Sequence, residues 1–160
     1  MFKNNFIIKL LGIIVLATLI LFAQNSYQVW IYKQNIPTEI KQKLVKREFS
    51  EKYDISYHIN PFYLRGDFNK DNKNEIAILI EEKVTNKKGI AIFKGKRDSL
   101  FIIGAGKSFG NGGDNFSWMN IWRVGVQDNN TEYIFIEKSE SASAAIVWDD
   151  TTYIWQQIGD

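Results

Sequence analysis

From residue 53 onward, the chain consists largely of short apolar runs separated by turn residues, a pattern typical of β-strands. Ile55, Tyr57 and Ile59 alternate with polar neighbours, as in a strand with one buried face. The run from Glu75 to Glu82 contains IAILI, which is apolar on both faces and therefore predicts a central strand. Comparable runs place the predicted strands at 55–59, 62–65, 75–82, 90–94, 100–103, 116–126, 132–138, 144–148 and 152–158.

These strands, with turn signals between them, predict a mainly β fold. The expected architecture is a small antiparallel domain, either a sandwich or a sheet resembling a propeller blade. One helix is expected before the strands, with Thr38 as its N-cap and an end near Glu51. The predicted organisation is a targeting segment at 1–23, a tether at 24–36 and a single β-rich domain at 37–160.

The first 23 residues predict export. Lys3 and Lys9 precede an uncharged apolar run from Leu10 to Ala23, which is the pattern of a secretory signal peptide. If the segment is not cleaved, it is expected to act as a short N-terminal membrane anchor. Because the lysines precede the apolar run, the rest of the chain should lie on the outer side of the membrane. The predicted location is therefore extracytoplasmic: periplasmic, secreted, or anchored to a membrane facing outward.

Charge and composition exclude several classes of function. The formal charge of +2 comes from the two lysines of the targeting segment, so the remainder of the chain is neutral. A neutral domain lacks the excess of basic residues that is typical of a nucleic-acid-binding protein. Contact with a membrane is expected only through the N-terminal segment, if it is not cleaved. The absence of cysteine excludes disulfides, zinc–thiolate sites and thiol catalysis, and the single histidine excludes a polyhistidine metal centre.

One segment carries metal-binding chemistry. Between Gly66 and Glu75, oxygen-bearing side chains recur at alternate positions. If the chain curls tightly, Asp67, Asn69 and Asp71 can converge, Lys73 can contribute its backbone carbonyl and Glu75 can close the ring. Calcium prefers about six to eight such oxygen ligands. The spacing predicts a structural calcium loop, although it is not an EF-hand because the twelfth position is Ile78 and a strand follows; the alternative is an ordinary polar turn.

The sequence Gly66-Asp67-x-Asn69-x-Asp71-x-x-x-Glu75, followed by IAILI, resembles the calcium loop of FG-GAP or VCBS-type repeats, which are extracellular propeller-like modules. The resemblance is local and covers residues 66–80. It implies that Asp67, Asn69, Asp71 and Glu75 are calcium ligands through their side chains and Lys73 through its carbonyl. The segment departs from the family pattern in having Asn72 at the loop glycine and Glu75 at the final aspartate, and the motif occurs once in this chain.

The leading functional hypothesis is an exported, non-enzymatic binding or interaction module. Phe116, Trp118 and Trp122 would share one face of the strand predicted at 116–126, beside a glycine-rich loop. If that face is exposed, it would be a stacking platform for a carbohydrate or an anchor for a protein partner. The candidate binding surface consists of Trp118, Trp122, Asn111 and Asp114; core packing of these aromatic residues is the alternative.

Two other classes remain open from the sequence. A periplasmic inhibitor or immunity-type protein would act through the loops 104–117 and 139–143. A carbohydrate-active enzyme would use paired acids drawn from Asp114, Glu137, Glu140 and Asp149. A Ser–His pair would need His58 with Ser139 or Ser141, and no nucleophile elbow is present, so the sequence favours a protein without catalytic residues.

Overall fold

The N-terminal part of the chain forms a compact unit of its own. The structure is a computed structural model that describes residues 9–24, 36–45, 47–94 and 99–159, and the chain divides into one unit at 1–41 and another at 42–160. Residues 9–24 form helix α1, whose apolar side chains are exposed along its whole length. Within these described ranges, no helix combines the length and apolarity needed to cross a membrane. Most of the predicted tether, residues 25–35, lies outside the described residues.

The helix predicted from Thr38 to Glu51 is two short helices instead of one. Helix α2 spans Thr38–Leu44 and helix α3 spans Arg47–Lys52. The backbone N–H groups of Ile40 and Lys41 donate to the carbonyl of Pro37 at the start of α2. The apolar residues of this stretch do not form one stripe, and Val45 is 75% exposed between the two helices. A single apolar face is what normally holds a longer helix together, so the break follows from the pattern.

The first sheet is antiparallel and is built around one buried strand. Its strands are β1 (Tyr53–Ile55), β2 (Tyr63–Gly66), β3 (Glu75–Glu82), β4 (Lys88–Phe93) and β5 (Leu100–Gly104). β4 pairs with one edge of β3, whereas β1 and β2 pair in succession with the other edge. The central position of β3 confirms the prediction from its two-sided apolar run. The strand predicted at 55–59 is wrong in extent, because the extended segment is 53–55.

The second sheet is a four-stranded antiparallel meander. Its strands are β6 (Ile121–Val126), β7 (Glu132–Lys138), β8 (Ala142–Trp148) and β9 (Tyr153–Gly159), paired in chain order. Residues Phe116–Trp118, predicted as the start of a long strand, form a 3₁₀ turn. With nine strands in two antiparallel sheets among the described residues, the prediction of a mainly β fold is confirmed.

Both sheets contribute to one hydrophobic core. Ala77 and Leu79 of β3 enter the same buried cluster as Ile134 and Ile146 of the second sheet. Because side chains alternate along a strand, Glu75 belongs to the same face of β3 as Ala77 and Leu79. The first residue of β3 therefore carries a carboxylate toward the core side of the sheet. Phe68, in the loop just before β3, is also fully buried in this cluster.

Candidate calcium site

The candidate calcium loop is the connection between β2 and β3. Gly66 and Glu75 are directly paired in the sheet, so residues 67–74 form a closed loop at the end of a hairpin. Lys70 and Asn72 adopt left-handed backbone conformations, with φ of 61° and 59°. Asparagine accepts this conformation more readily than most residues, whereas lysine does so at some cost. The tight curl that the sequence requires is therefore present.

The polar side chains of the loop accept hydrogen bonds from backbone N–H groups of the same loop. The two carboxylate oxygens of Asp67 accept hydrogen bonds from the backbone N–H groups of Asp71, at 3.0 Å, and Asn72, at 2.8 Å. The Asn69 Oδ1 accepts from the Asp71 N–H at 3.0 Å, and the Asp71 Oδ1 accepts from the Lys73 N–H at 3.0 Å. A carboxylate or amide oxygen with one such bond keeps a lone pair for another partner.

Glu75 is the unusual group of this site. Its side chain is fully buried, and neither carboxylate oxygen has a hydrogen-bond partner among the described residues. Burial, together with the negative charges of Asp71 and Asp67, raises the pKa of Glu75 to about 7; the backbone N–H groups of Phe68 and Asn69 act in the opposite direction but form no well-aligned hydrogen bond. A buried carboxylate without a counter-charge is costly, so this position calls for a cation or a proton.

Two residues of the second sheet complete the surroundings of the loop. Glu132, at the start of β7, accepts a hydrogen bond from the backbone N–H of Asp67 at 2.6 Å. The hydroxyl of Tyr153, at the start of β9, is buried with no hydrogen-bond partner among the described residues, and its pKa is raised by burial and by the charges of Glu75, Asp67 and Asp71. Both residues are distant from the loop in sequence, and no local pattern associates them with it.

The side chains of the loop offer the type of ligand atom, oxygen, that a hard cation prefers. Asp67, Asp71 and Glu75 supply carboxylates and Asn69 an amide oxygen, which are calcium ligands, whereas Lys73 has an exposed side chain and could contribute only its carbonyl. In the part of the chain that the structure describes, no group of three or more His, Cys, Asp or Glu side chains is close enough together to hold a metal. The orphaned Glu75 carboxylate is therefore the observation in favour of an ion, and the loop carboxylates would have to move closer together to complete its shell.

No protein-family model, curated protein or solved structure matches this chain. The likeness of residues 66–80 to a calcium loop therefore depends on those residues alone.

The aromatic part of the candidate binding surface is mostly buried. Trp122 is 3% exposed, and its indole N–H donates to the Pro61 carbonyl at 2.5 Å. Trp118 is half-buried against the core, and its indole N–H donates to the Gly112 carbonyl at 3.2 Å. The expectation that these rings share one strand face with Phe116 is wrong, because Phe116–Trp118 is a 3₁₀ turn and β6 starts at Ile121. Core packing, the alternative considered from the sequence, describes Trp122.

The glycine-rich loop packs against a tryptophan. A Cβ atom at Gly110 or Gly112 would overlap the side chain of Trp155, so these glycines allow the backbone to approach the ring closely. Within the same loop Asn111 is exposed, and Asp114 forms an ion pair with Lys87. The proposed inhibitory loop at 139–143 is a tight hairpin turn, closed by a hydrogen bond from the Ser141 N–H to the Lys138 carbonyl at 3.0 Å. These contacts give both loops a structural role.

Four of the residues considered for catalysis have other partners: His58, Asp114, Ser139 and Asp149. Asp149 caps the turn before β9 by accepting hydrogen bonds from Thr151 and Thr152, which lower the pKa of its carboxyl group. His58 Nδ1 lies 2.7 Å from the hydroxyl of Ser56, whereas Ser139 donates to the side chain of Asn120. The structure therefore places His58 beside a serine other than those expected from the sequence, and Asp114 and Asp149 each have a structural partner.

Proposed function

We propose that this protein is an exported, non-enzymatic binding module stabilised by one structural calcium ion in the loop 67–74. The single observation that carries the proposal is the fully buried Glu75 carboxylate, whose oxygens have no partner among the described residues. The charges that act on it are those of the acids Asp71 and Asp67, so a divalent cation between them would neutralise repelling carboxylates.

The position of the loop indicates a structural role for the ion. The backbone of Asp67 is hydrogen-bonded to Glu132 of the second sheet, and Phe68 is buried in the core that both sheets share. An ion held by Asp67, Asp71 and Glu75 would fix the loop between the two sheets. Millimolar extracellular calcium suits such a site, and the basic and apolar pattern of residues 1–23 supports export.

A non-enzymatic role is supported by the partners of Asp114, Asp149 and Ser139. Asp114 is neutralised by Lys87, and Asp149 is committed to capping a turn. A binding module needs a stable scaffold and an accessible surface, which two small antiparallel sheets with a calcium-fixed loop can provide. No contact favours the inhibitor alternative, because the glycine-rich loop packs on Trp155 and the segment 139–143 is a hairpin turn.

Thermal unfolding of the full-length protein tests this proposal. In a mild detergent that keeps the apolar N-terminal segment soluble, calcium at about 100 times its dissociation constant should add about 2.7 kcal/mol of stability. For a domain of this size, the expected rise in the unfolding midpoint over a chelator control is about 10 °C. The shift should disappear in the double variant Asp67→Ala, Asp71→Ala.

The matched control is the double variant Asp54→Ala, Asp128→Ala, which removes the same charge away from the loop. It should retain the full calcium-dependent shift. No shift of the wild-type protein in millimolar calcium, or an equal shift in the two double variants, would contradict the proposed site.

A further inference from the structure

The second sheet has a depression on the face turned away from the core. Its volume is about 510 Å³, and it is lined by Val126 at the end of β6, by the turn residues 127–129, and by Tyr133, Ala145, Gln156 and Ile158. The sheet register places Ala145 opposite Gln156, and Ala145 is almost fully buried at the floor of the depression. This volume is within the range of roughly 300–1,000 Å³ that small-molecule sites occupy.

The aromatic wall of the depression depends on a glycine. Gly125 is paired with Tyr133 across β6 and β7, and a Cβ atom at Gly125 would overlap the Tyr133 ring. The ring therefore lies across the backbone of β6, where a larger residue would displace it. Val126 and Ile158, which are 59% and 50% exposed, add apolar surface beside the ring. An aromatic ring held against the sheet in this way offers its outer face for stacking.

The polar groups of the depression are uncharged apart from one acid. Gln127, Asn129 and Gln156 contribute amides and Asp128 a carboxylate, and none of the described lysine, arginine or histidine residues lines the depression. The turn that carries three of these groups is ordered by hydrogen bonds from the Gln127 N–H to the Thr131 carbonyl and from the Asn130 N–H to the Gln127 carbonyl, both at 2.9 Å. The Asn129 Oδ1 accepts a hydrogen bond from the Thr131 N–H, and the NH₂ group of the same amide is a hydrogen-bond donor.

A break in strand pairing lies at the other side of the depression. The register between β8 and β9 shifts at Ser143 and Ala144, so that Gln157 and Gly159 oppose neighbouring residues and Ile158 is the extra residue. Such bulges change the direction of side chains and often occur beside functional sites. Ile158 and Gln156 both line the depression as a result of this arrangement.

We propose that this depression binds a neutral saccharide, an inference that rests on the proposed role as a binding module and names the class of ligand. A sugar presents C–H groups that stack on an aromatic ring and hydroxyls that both donate and accept hydrogen bonds, as the amides and Asp128 require. The single carboxylate and the absence of basic residues from the lining disfavour an anionic ligand. A second copy of this chain fits less well, because it would bury amides and a carboxylate without defined partners.

A panel of immobilised neutral glycans, probed with the labelled full-length protein in millimolar calcium, tests the inference. The best-binding oligosaccharide is then titrated against wild type, Tyr133→Ala and Gln156→Ala. We expect Tyr133→Ala to weaken binding about tenfold, because it removes the stacking ring, and Gln156→Ala to weaken it by a smaller factor. Ile154→Ala, an exposed position on β9 outside the depression, is the control and should bind as wild type does.

The calcium-dependent unfolding shift is measured on the same samples, so a failure of sugar binding is distinguishable from a failure of the calcium site. Binding that is lost in Tyr133→Ala while the unfolding midpoint is retained supports the inference. It is overturned if no neutral glycan binds, if Tyr133→Ala binds as tightly as wild type, or if the depression instead mediates concentration-dependent self-association that Tyr133→Ala abolishes.

Discussion

Without calcium, the protein is expected to lose about 3 kcal/mol of stability through Glu75 alone as the pH rises from 4.5 to 7. The pKa of Glu75 is raised from 4.5 to about 7 in the folded protein by burial and by Asp71 and Asp67. Between these two values, the folded state keeps a proton that the unfolded state has released. Stability therefore falls as the pH rises through this window, and it changes little above the folded pKa.

The variant Glu75→Gln isolates this effect, because it keeps the size of the side chain and removes its charge. In chelator, urea unfolding at pH 5 and pH 8 should show a smaller loss of stability in Glu75→Gln than in wild type, by about 3 kcal/mol. Glu137→Gln, on β7 and half-buried, is the matched control and should behave as wild type. Equal pH dependence of wild type and Glu75→Gln would show that the buried carboxylate is not the source of the effect.

Phe68→Ala is expected to destabilise the protein by about 3–5 kcal/mol, in addition to weakening calcium binding. The Phe68 ring is fully buried in the core shared by the two sheets, and it lies between the loop residues Asp67 and Asn69. Removing it leaves a cavity and releases the anchor that holds the candidate calcium loop against the core.

Urea unfolding in chelator measures the loss of stability, and calcium titration of the folded variant measures the second effect. Val84→Ala serves as the control, because Val84 is 86% exposed in the turn after β3, and its substitution should change stability by less than about 0.5 kcal/mol. A loss below about 1 kcal/mol in Phe68→Ala would contradict the assignment of Phe68 as the anchor of the loop.

Features of the fold that depend on local pattern could be predicted from the sequence. β3 and β7 have the predicted bounds, because each is a continuous apolar run bordered by turn residues. The segments 55–59 and 116–118 were predicted as strands because their residues alternate or are aromatic. Packing decides the second segment, because Phe116 is buried in the core within a 3₁₀ turn, whereas in the first segment β1 ends at Ile55.

The candidate calcium site also has features that could be predicted from the sequence and features that could not. The alternating oxygen-bearing residues from Asp67 to Glu75 are recognisable in sequence, because the loop is short and closes on a paired strand end. The contributions of Glu132 and Tyr153 arise only when the second sheet packs beside the loop, and the burial of Glu75 depends on the same packing. The depression around Tyr133 likewise requires the pairing of Gly125 with Tyr133 and the bulge in β9, which depend on strand register.

Isothermal titration of calcium into the calcium-free, full-length protein at pH 8 tests the central claim most directly. We expect saturable binding of one ion per chain. Binding should be lost in the Asp67→Ala, Asp71→Ala variant, strongly weakened in Glu75→Gln and retained in the Asp54→Ala, Asp128→Ala control. Absence of binding at millimolar calcium, or binding that survives the loss of both loop aspartates, would contradict this claim and leave the loop as a polar turn.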